Sequence, residues 1–78
     1  MARVRLFAAL RDLAGASRLE VDAPDVQALV AILTERFGEE FGRIARAGAV
    51  VIGGDTTEAT RALAPDDEVA LLPPVSGG

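Results

Sequence analysis

The chain has 78 residues, half of them apolar, and a formal net charge of −4 at pH 7. A chain of this length forms one small domain with a thin core, and its acidic balance disfavours nucleic acid, whose phosphates need a basic surface. It contains no Cys, His or Tyr. Disulfides, thiolate or imidazole metal ligands and the usual general bases are therefore excluded, and we expect no metal site, no cofactor and no autonomous active site.

The sequence has no stretch that predicts a membrane helix. Its longest uncharged segment, residues 69–78, is far shorter than the roughly 20 residues such a helix needs. Two arginines, Arg3 and Arg5, precede an apolar patch at residues 6–10, but that patch is too short for the core of a signal peptide. We therefore expect a cytoplasmic protein.

The first part of the chain predicts a strand, a short helix and a second strand. Residues 3–7 alternate as a half-buried strand does, which puts Phe7 on the same side as the two arginines. Residues 8–14 predict a helix that ends at Gly15, where a helix C-cap belongs. Residues 18–22 alternate again and predict the second strand.

A longer helix follows. Its apolar residues fall on one stripe at helical spacing: Val26, Leu29, Val30, Leu33 and Phe37. Asp22 or Asp25 can cap its start, and Gly38 can end it. Residues 39–46 predict a second helical piece that packs through Phe41 and Ile44.

The last part of the chain predicts two or three strands. A largely β-branched run at residues 49–52 leads into a hairpin turn at residues 53–55, and residues 56–57 and 62–63 can each add a short strand before a last strand at residues 68–72. The element order predicts an α+β domain, a mixed sheet with its main helix packed across one face. The predicted core comprises Val4, Leu6, Leu29, Val30, Leu33, Val51, Val69 and Leu71.

We expect the chain to divide into a folded domain, residues 1–72, and a tail, residues 73–78. Pro73 and Pro74 fix φ and favour an extended path, so we expect the last strand to stop and the tail to project. Six residues reach at most about 20 Å, long enough to enter another protein's active site. Gly77 and Gly78 lack Cβ atoms and can thread a narrow channel.

The chain resembles the ubiquitin-like sulfur carriers of the β-grasp fold, the MoaD/ThiS type. The resemblance rests on residues 4–15, on residues 65–70 and above all on the block at residues 72–78. A helical segment separates the first two strands, where ubiquitin-like modifiers and thiamin-pathway carriers usually have a tight hairpin. The chain is in this respect most similar to the small subunit of molybdopterin synthase, the MoaD type, although carriers that feed cysteine biosynthesis share the layout.

The resemblance implies a function for the tail. An ATP-dependent activating enzyme would adenylate the C-terminal carboxylate of Gly78, and a sulfur donor protein would convert it to a thiocarboxylate. Gly77 would be the slim neighbour that permits entry. The large subunit of molybdopterin synthase would supply every catalytic side chain, so the chain itself is expected to be non-catalytic.

The expected partner contacts are Phe7, Leu72, Pro73, Pro74, Val75 and Ser76. Strand alternation favours Phe7 and Leu72 on the side of the sheet opposite the main helix, where apolar groups form a candidate interface. A second position for Phe7, beneath the short helix at residues 8–14, stays open.

Three alternatives to a molybdopterin role also stay open. The chain can carry sulfur for cysteine or thiamin biosynthesis, it can be a ubiquitin-like protein modifier attached through Gly78, or it can be an interaction module with an inert tail. All eight basic residues are Arg. Without Lys the chain cannot form Lys-linked polymers, although single attachment to a target remains possible.

Overall fold

The computed structural model describes residues 1–74, which form a five-stranded sheet and three helices. The elements in chain order are β1 (Ala2–Leu6), α1 (Ala8–Ala14), β2 (Arg18–Val21), α2 (Val26–Phe37), α3 (Glu39–Ala47), β3 (Ala49–Ile52), β4 (Asp55–Thr56) and β5 (Glu68–Leu72). The strand order is β2-β1-β5-β3-β4. Only β1 and β5 are parallel among these neighbours, so the predicted mixed α+β sheet is confirmed.

The apolar side chains of the sheet and helices meet in one core on the side that α2 covers, which we call the inner face. Its buried members are Ala2, Val4, Leu6, Leu10, Val21, Val26, Leu29, Val30, Leu33, Phe41, Ala45, Ile52, Val69 and Leu71. Every predicted core residue except Val51 is among them. Alternation along β1 and β5 produces this pattern, since successive strand residues point to opposite faces.

The core prediction for Val51 is wrong. In the antiparallel pairing of β3 with β5, Ile52 lies opposite the buried Val69, whereas Val51 lies opposite Ala70. Val51 is therefore half-buried on the other side of the sheet, and Ile52 takes the core position. A shift of one residue changes the face because the side-chain period of a strand is two.

The main helix, α2, has the predicted bounds and the predicted cap. The Asp25 side chain accepts a hydrogen bond from the Ala28 N–H at 2.8 Å. The N–H of Val26 donates to the Arg61 carbonyl at 3.1 Å, which ties the loop before β5 to the start of the helix. Ala62 forms only an isolated bridge with Asp25 instead of a strand. At twelve residues α2 is the longest helix, and none in the described part of the chain is long and apolar enough to cross a membrane.

The predicted hairpin turn joins β3 to the two-residue strand β4. Gly53 and Gly54 have φ values of 63° and 87°, in the left-handed region that glycine enters without steric cost. The turn brings Thr56 opposite Val51 at the edge of the sheet. The strand β4 therefore forms one edge of the sheet, next to β3. The strand β5, which leads into the tail, lies in the middle of the sheet.

Candidate functional site

The side of the sheet opposite the core, which we call the outer face, has two chemically different halves. The charged half lies on β1, β2 and the start of β5 and comprises Arg3, Arg5, Arg18, Glu20 and Glu68. The apolar half lies on β3 and the rest of β5 and comprises Ala49, Val51, Ala70 and Leu72. The residues of the apolar half are half-buried, because each side chain is flanked by its neighbours in the sheet.

The charged half forms an open groove of about 470 Å³, and its charged side chains are exposed. The register sets Arg3 between Glu20 on one side and Glu68 on the other. Arg5 approaches Glu68 to 3.7 Å between Nη1 and Oε1, with the two side chains 45% and 56% exposed. Exposed pairs of this kind contribute at most about 1 kcal/mol, so these charges bear on which surface can approach more than on stability.

Phe7 lies beside the charged half. The residue follows the end of β1 and is the N-cap of α1, with an extended backbone at φ −127° and ψ 149°. The guanidinium carbon of Arg5 lies 5.7 Å from the centroid of the Phe7 ring, within the range of a cation–π contact. Because Arg5 is on the outer face, the half-buried ring of Phe7 is on that side too. Its part in partner binding stays a prediction.

The tail begins at the end of β5, in the apolar half of the outer face. β5 ends at Leu72, which is half-buried and pairs with Ala49 of β3. Pro73 is half-buried and Pro74 is exposed, and neither continues the strand. The remaining predicted site residues, Val75, Ser76, Gly77 and Gly78, lie outside the described residues, so their roles stay predictions.

Gly48 contacts the base of the tail, which the sequence alone does not indicate. It lies between α3 and β3, and a Cβ atom built on it would overlap the Leu72 carbonyl oxygen and lie 3.0 Å from the Pro73 carbonyl carbon. The sequence signal is a single glycine between a helical stretch and a β-branched run. A helix C-cap explains such a glycine equally well, which is why the close approach was not foreseen.

The acidic turn before β5 is used within the fold. The Asp67 carboxylate accepts a hydrogen bond from the Ala64 N–H at 2.8 Å and lies 3.5 Å from an Arg61 nitrogen. Within residues 1–74, no group of three acidic residues is close enough together to hold a metal ion. The outer face thus offers apolar contact area, guanidinium groups and carboxylates, which are the means of recognising a protein surface.

Comparison with known proteins identifies the family. The chain matches the family model described as the ThiS family over residues 4–78. It is 31% identical to SAMP1, a small archaeal modifier protein of Haloferax volcanii, with 99% of this chain and 98% of that chain covered and a TM-score of 0.72. A comparison with curated proteins gives no match.

Two further similar chains were solved as parts of complexes. A chain in the complex of subunits 1 and 2 of the molybdopterin-converting factor from Helicobacter pylori is 27% identical, with 99% and 97% of the two chains covered and a TM-score of 0.71. A chain in the BexX/CysO complex of Amycolatopsis orientalis is 18% identical, with 100% of both chains covered and a TM-score of 0.81, which shows the fold alone. The β-grasp prediction is confirmed, and the chain belongs to the ThiS family of ubiquitin-like sulfur carriers.

Proposed function

We propose that this carrier is the small subunit of a molybdopterin synthase and holds sulfur as a thiocarboxylate on Gly78. The observation that carries the proposal is the family match, because it runs from residue 4 through the two glycines of the tail. The helix α1 between β1 and β2 favours this role over that of a thiamin-pathway carrier, and the 27% identity to a chain of the molybdopterin-converting factor supports the choice of pathway.

The chemistry at Gly78 begins with activation, because an ionised carboxylate is a poor electrophile at neutral pH. A carboxylate oxygen attacks the α-phosphorus of ATP and pyrophosphate leaves, which gives an acyl adenylate. Hydrosulfide supplied by a sulfur donor protein then attacks the carbonyl carbon and AMP leaves. One oxygen of the carboxylate has been replaced by sulfur, with no change in the oxidation state of the carbon.

The partners supply everything else. An ATP-dependent activating enzyme performs the adenylation, and the large synthase subunit provides the side chains that move sulfur to the pterin precursor. This chain contributes no catalytic side chain and no cofactor, and it works in the cytoplasm. Small carriers of the ThiS and MoaD type are themselves generally non-catalytic, which agrees with this division of labour.

The proposed docking surface is the apolar half of the outer face together with Phe7. Leu72 is the last residue of β5, so a partner that covers this half lies beside the point where the tail begins. We expect Pro73 and Pro74 to lead towards the partner, and Val75 and Ser76 to contact it ahead of Gly77 and Gly78. Only a few residues therefore separate the docking surface from the reactive carboxylate of Gly78.

The test is the intact mass of the protein after incubation with ATP, the activating enzyme and the sulfur donor. We expect exchange of one oxygen for sulfur on the C-terminal residue. Deletion of Gly78 should abolish this exchange, and one residue added after Gly78 should be as damaging, because even about 1 Å of misplacement can cost on the order of a hundredfold in rate. Both variants should retain the thermal stability of the parent chain, since terminal residues contribute little to the stability of most domains.

The result that overturns the proposal is product formation at the parent rate by the chain without Gly78. The tail would then be inert and the chain an interaction module. Thiocarboxylate formation with sulfur passing to a different acceptor would keep the carrier role but move the chain to another pathway, such as cysteine or thiamin biosynthesis.

A second candidate function is attachment to other proteins. The likeness to SAMP1 of Haloferax volcanii, a small archaeal modifier protein, favours it. Both functions need an adenylated Gly78, but a modifier ends in an isopeptide bond to a target amine, whereas the carrier returns as a free carboxylate. Mass spectrometry of peptides from whole-cell protein separates the two, since a tail-derived remnant on lysine appears only for the modifier.

A further inference from the structure

The base of the tail packs on a residue that has no side chain. The Cβ position of Gly48 points at the backbone of Leu72 and Pro73, where it would overlap the Leu72 carbonyl oxygen and come within 2.9 Å of the carbonyl carbon. An α-hydrogen of Gly48 occupies this direction instead, in a C–H···O contact of the kind found between adjacent strands. Gly48 thus touches the last residue of β5 and the first residue of the tail.

Gly48 has little freedom to move away from that contact. Its N–H donates to the Ile44 carbonyl at 3.1 Å and to the Ala45 carbonyl at 3.3 Å, which fastens it to the end of α3. The next residue, Ala49, pairs with Leu72 in the sheet. Any side chain at position 48 must therefore displace Leu72 and Pro73, whose contacting atoms are backbone and cannot turn aside as a flexible side chain can.

We infer that Gly48 is a positioning residue for the tail: its bare α-carbon sets the direction in which the chain leaves β5. The inference rests on the proposed function, because a tail direction matters only if Gly78 must reach a reaction centre. The φ of Pro73 is restricted by its ring, so a shift at Leu72 is passed along the chain rather than absorbed there. Gly48 touches no substrate and acts only through the backbone it supports.

The step that depends on this direction is adenylation. A carboxylate oxygen of Gly78 must lie in line with the α-phosphorus of ATP while the bond to pyrophosphate breaks. A tail that starts from a displaced base enters the activating enzyme along a different line. Of the docking surface, Leu72 is displaced while Phe7, Val51 and Ala70 keep their places, so the affinity for the enzyme should change less than the rate of the bound step.

The experiment compares Gly48→Ala with the parent chain in ATP–pyrophosphate exchange, with the carrier concentration varied against a fixed amount of activating enzyme. We expect kcat to fall roughly a hundredfold, as displacements near 1 Å do, while the KM for the carrier stays within about twofold. Phe7→Asp, which alters the docking surface and leaves the tail base intact, should raise the KM and leave kcat near the parent value.

A matched control is Gly42→Ala. A Cβ on this buried glycine would meet the side chain of Thr34, at 2.7 Å from its Cγ2 atom, in the contact between α3 and α2 and away from the tail. The same substitution is thus made at a crowded site within α3, the helix that precedes Gly48. It should lower the denaturation midpoint and leave both kcat and KM unchanged, which separates loss of packing from loss of tail direction.

A spectroscopic measurement on the free protein reads the tail base directly. The carbonyl carbon resonances of Leu72 and Pro73 should shift in Gly48→Ala and remain in place in Gly42→Ala. A folded Gly48→Ala chain with the parent kcat, or with unshifted Leu72 and Pro73 carbonyls, overturns the inference alone. A parent chain that the activating enzyme does not adenylate overturns the proposed function, and the role of Gly48 in adenylation falls with it.

Discussion

The inner and outer faces are formed by the same strands but differ in burial and in chemical character. On β5, Val69 and Leu71 are fully buried against the helices, whereas Ala70 and Leu72 are half-buried and face away from them. The inner face is uniformly apolar, while the outer face changes from arginines and glutamates to aliphatic groups across its width. Alternation therefore lets one strand stabilise the fold with one set of residues and present a surface with the other.

The difference between the two faces indicates which of them is available for recognition of a partner in a carrier of this size. A domain of this size has a stability of only about 4–12 kcal/mol, so the inner face cannot spare residues for binding. The outer face can, because its half-buried groups contribute less to folding. The tail leaves from β5, the strand in the middle of the sheet, and so it begins within the outer face rather than at a distant edge.

The largest expected effect comes from one substitution made at two adjacent positions. Leu71→Asp puts a carboxylate where no part of the side chain is exposed, and a buried unpaired charge together with the lost packing exceeds the stability of so small a domain. We expect this variant to be unfolded in circular dichroism. Leu72→Asp, one residue along the same strand, should fold and lose only about 1 kcal/mol.

Partner affinity measured on the folded Leu72→Asp chain completes the test. Binding to the large subunit of the proposed synthase should weaken by at least about tenfold, which corresponds to roughly 1.4 kcal/mol. The assignment of the two faces is reversed if Leu72→Asp unfolds and Leu71→Asp does not. Unchanged affinity would remove Leu72 from the docking surface and leave the fold assignment intact.

A smaller effect distinguishes the faces on β3. Ile52→Ala removes a buried side chain and should cost about 2–5 kcal/mol of unfolding free energy in urea denaturation. Val51→Ala removes a half-buried side chain on the outer face and should cost about 1 kcal/mol. Equal costs, or a greater cost at Val51, would contradict the register in which Ile52 lies opposite Val69.

The Val51 position marks the limit of what the sequence could predict. The bounds of α1, α2, β3 and β5 follow from local patterns, namely apolar spacing, Asp25 as a cap and glycines at helix ends, and all four are as predicted. The face of a residue within a uniformly apolar strand such as β3 carries no local signal. Only the pairing with β5 decides it, and that pairing joins residues far apart in sequence.

The site was predictable to a similar depth. Alternation along β1 favours an outer position for Phe7 but leaves a position beneath α1 open, and the contact with Arg5 supports the outer one. The contact of Gly48 with Leu72 could not be read from the chain, because it joins two residues whose distance depends on the whole sheet. A glycine in the sequence is compatible with a close approach by other atoms, but only the fold determines which residue makes that approach.

The smallest effect concerns Ala8, the first residue of α1, which directly follows Phe7. Ala8 has φ of 51°, in the left-handed region that a residue with a Cβ atom enters at a cost of about 1–2 kcal/mol. Ala8→Gly removes this cost, but it also gives the unfolded chain more freedom, so we expect a net gain of at most about 1 kcal/mol.

The same substitution at the next residue gives the opposite sign. Ala9 is exposed, like Ala8, but its backbone has no positive φ, so Ala9→Gly should lose roughly 0.5–1 kcal/mol of helix stability. Urea denaturation of the two variants measures both changes against the parent chain. If Ala8→Gly destabilises as much as Ala9→Gly does, the chain does not turn through a left-handed residue between β1 and α1. The position of Phe7 beside Arg5 would then need another support, because this turn is what directs the chain from the strand into the helix.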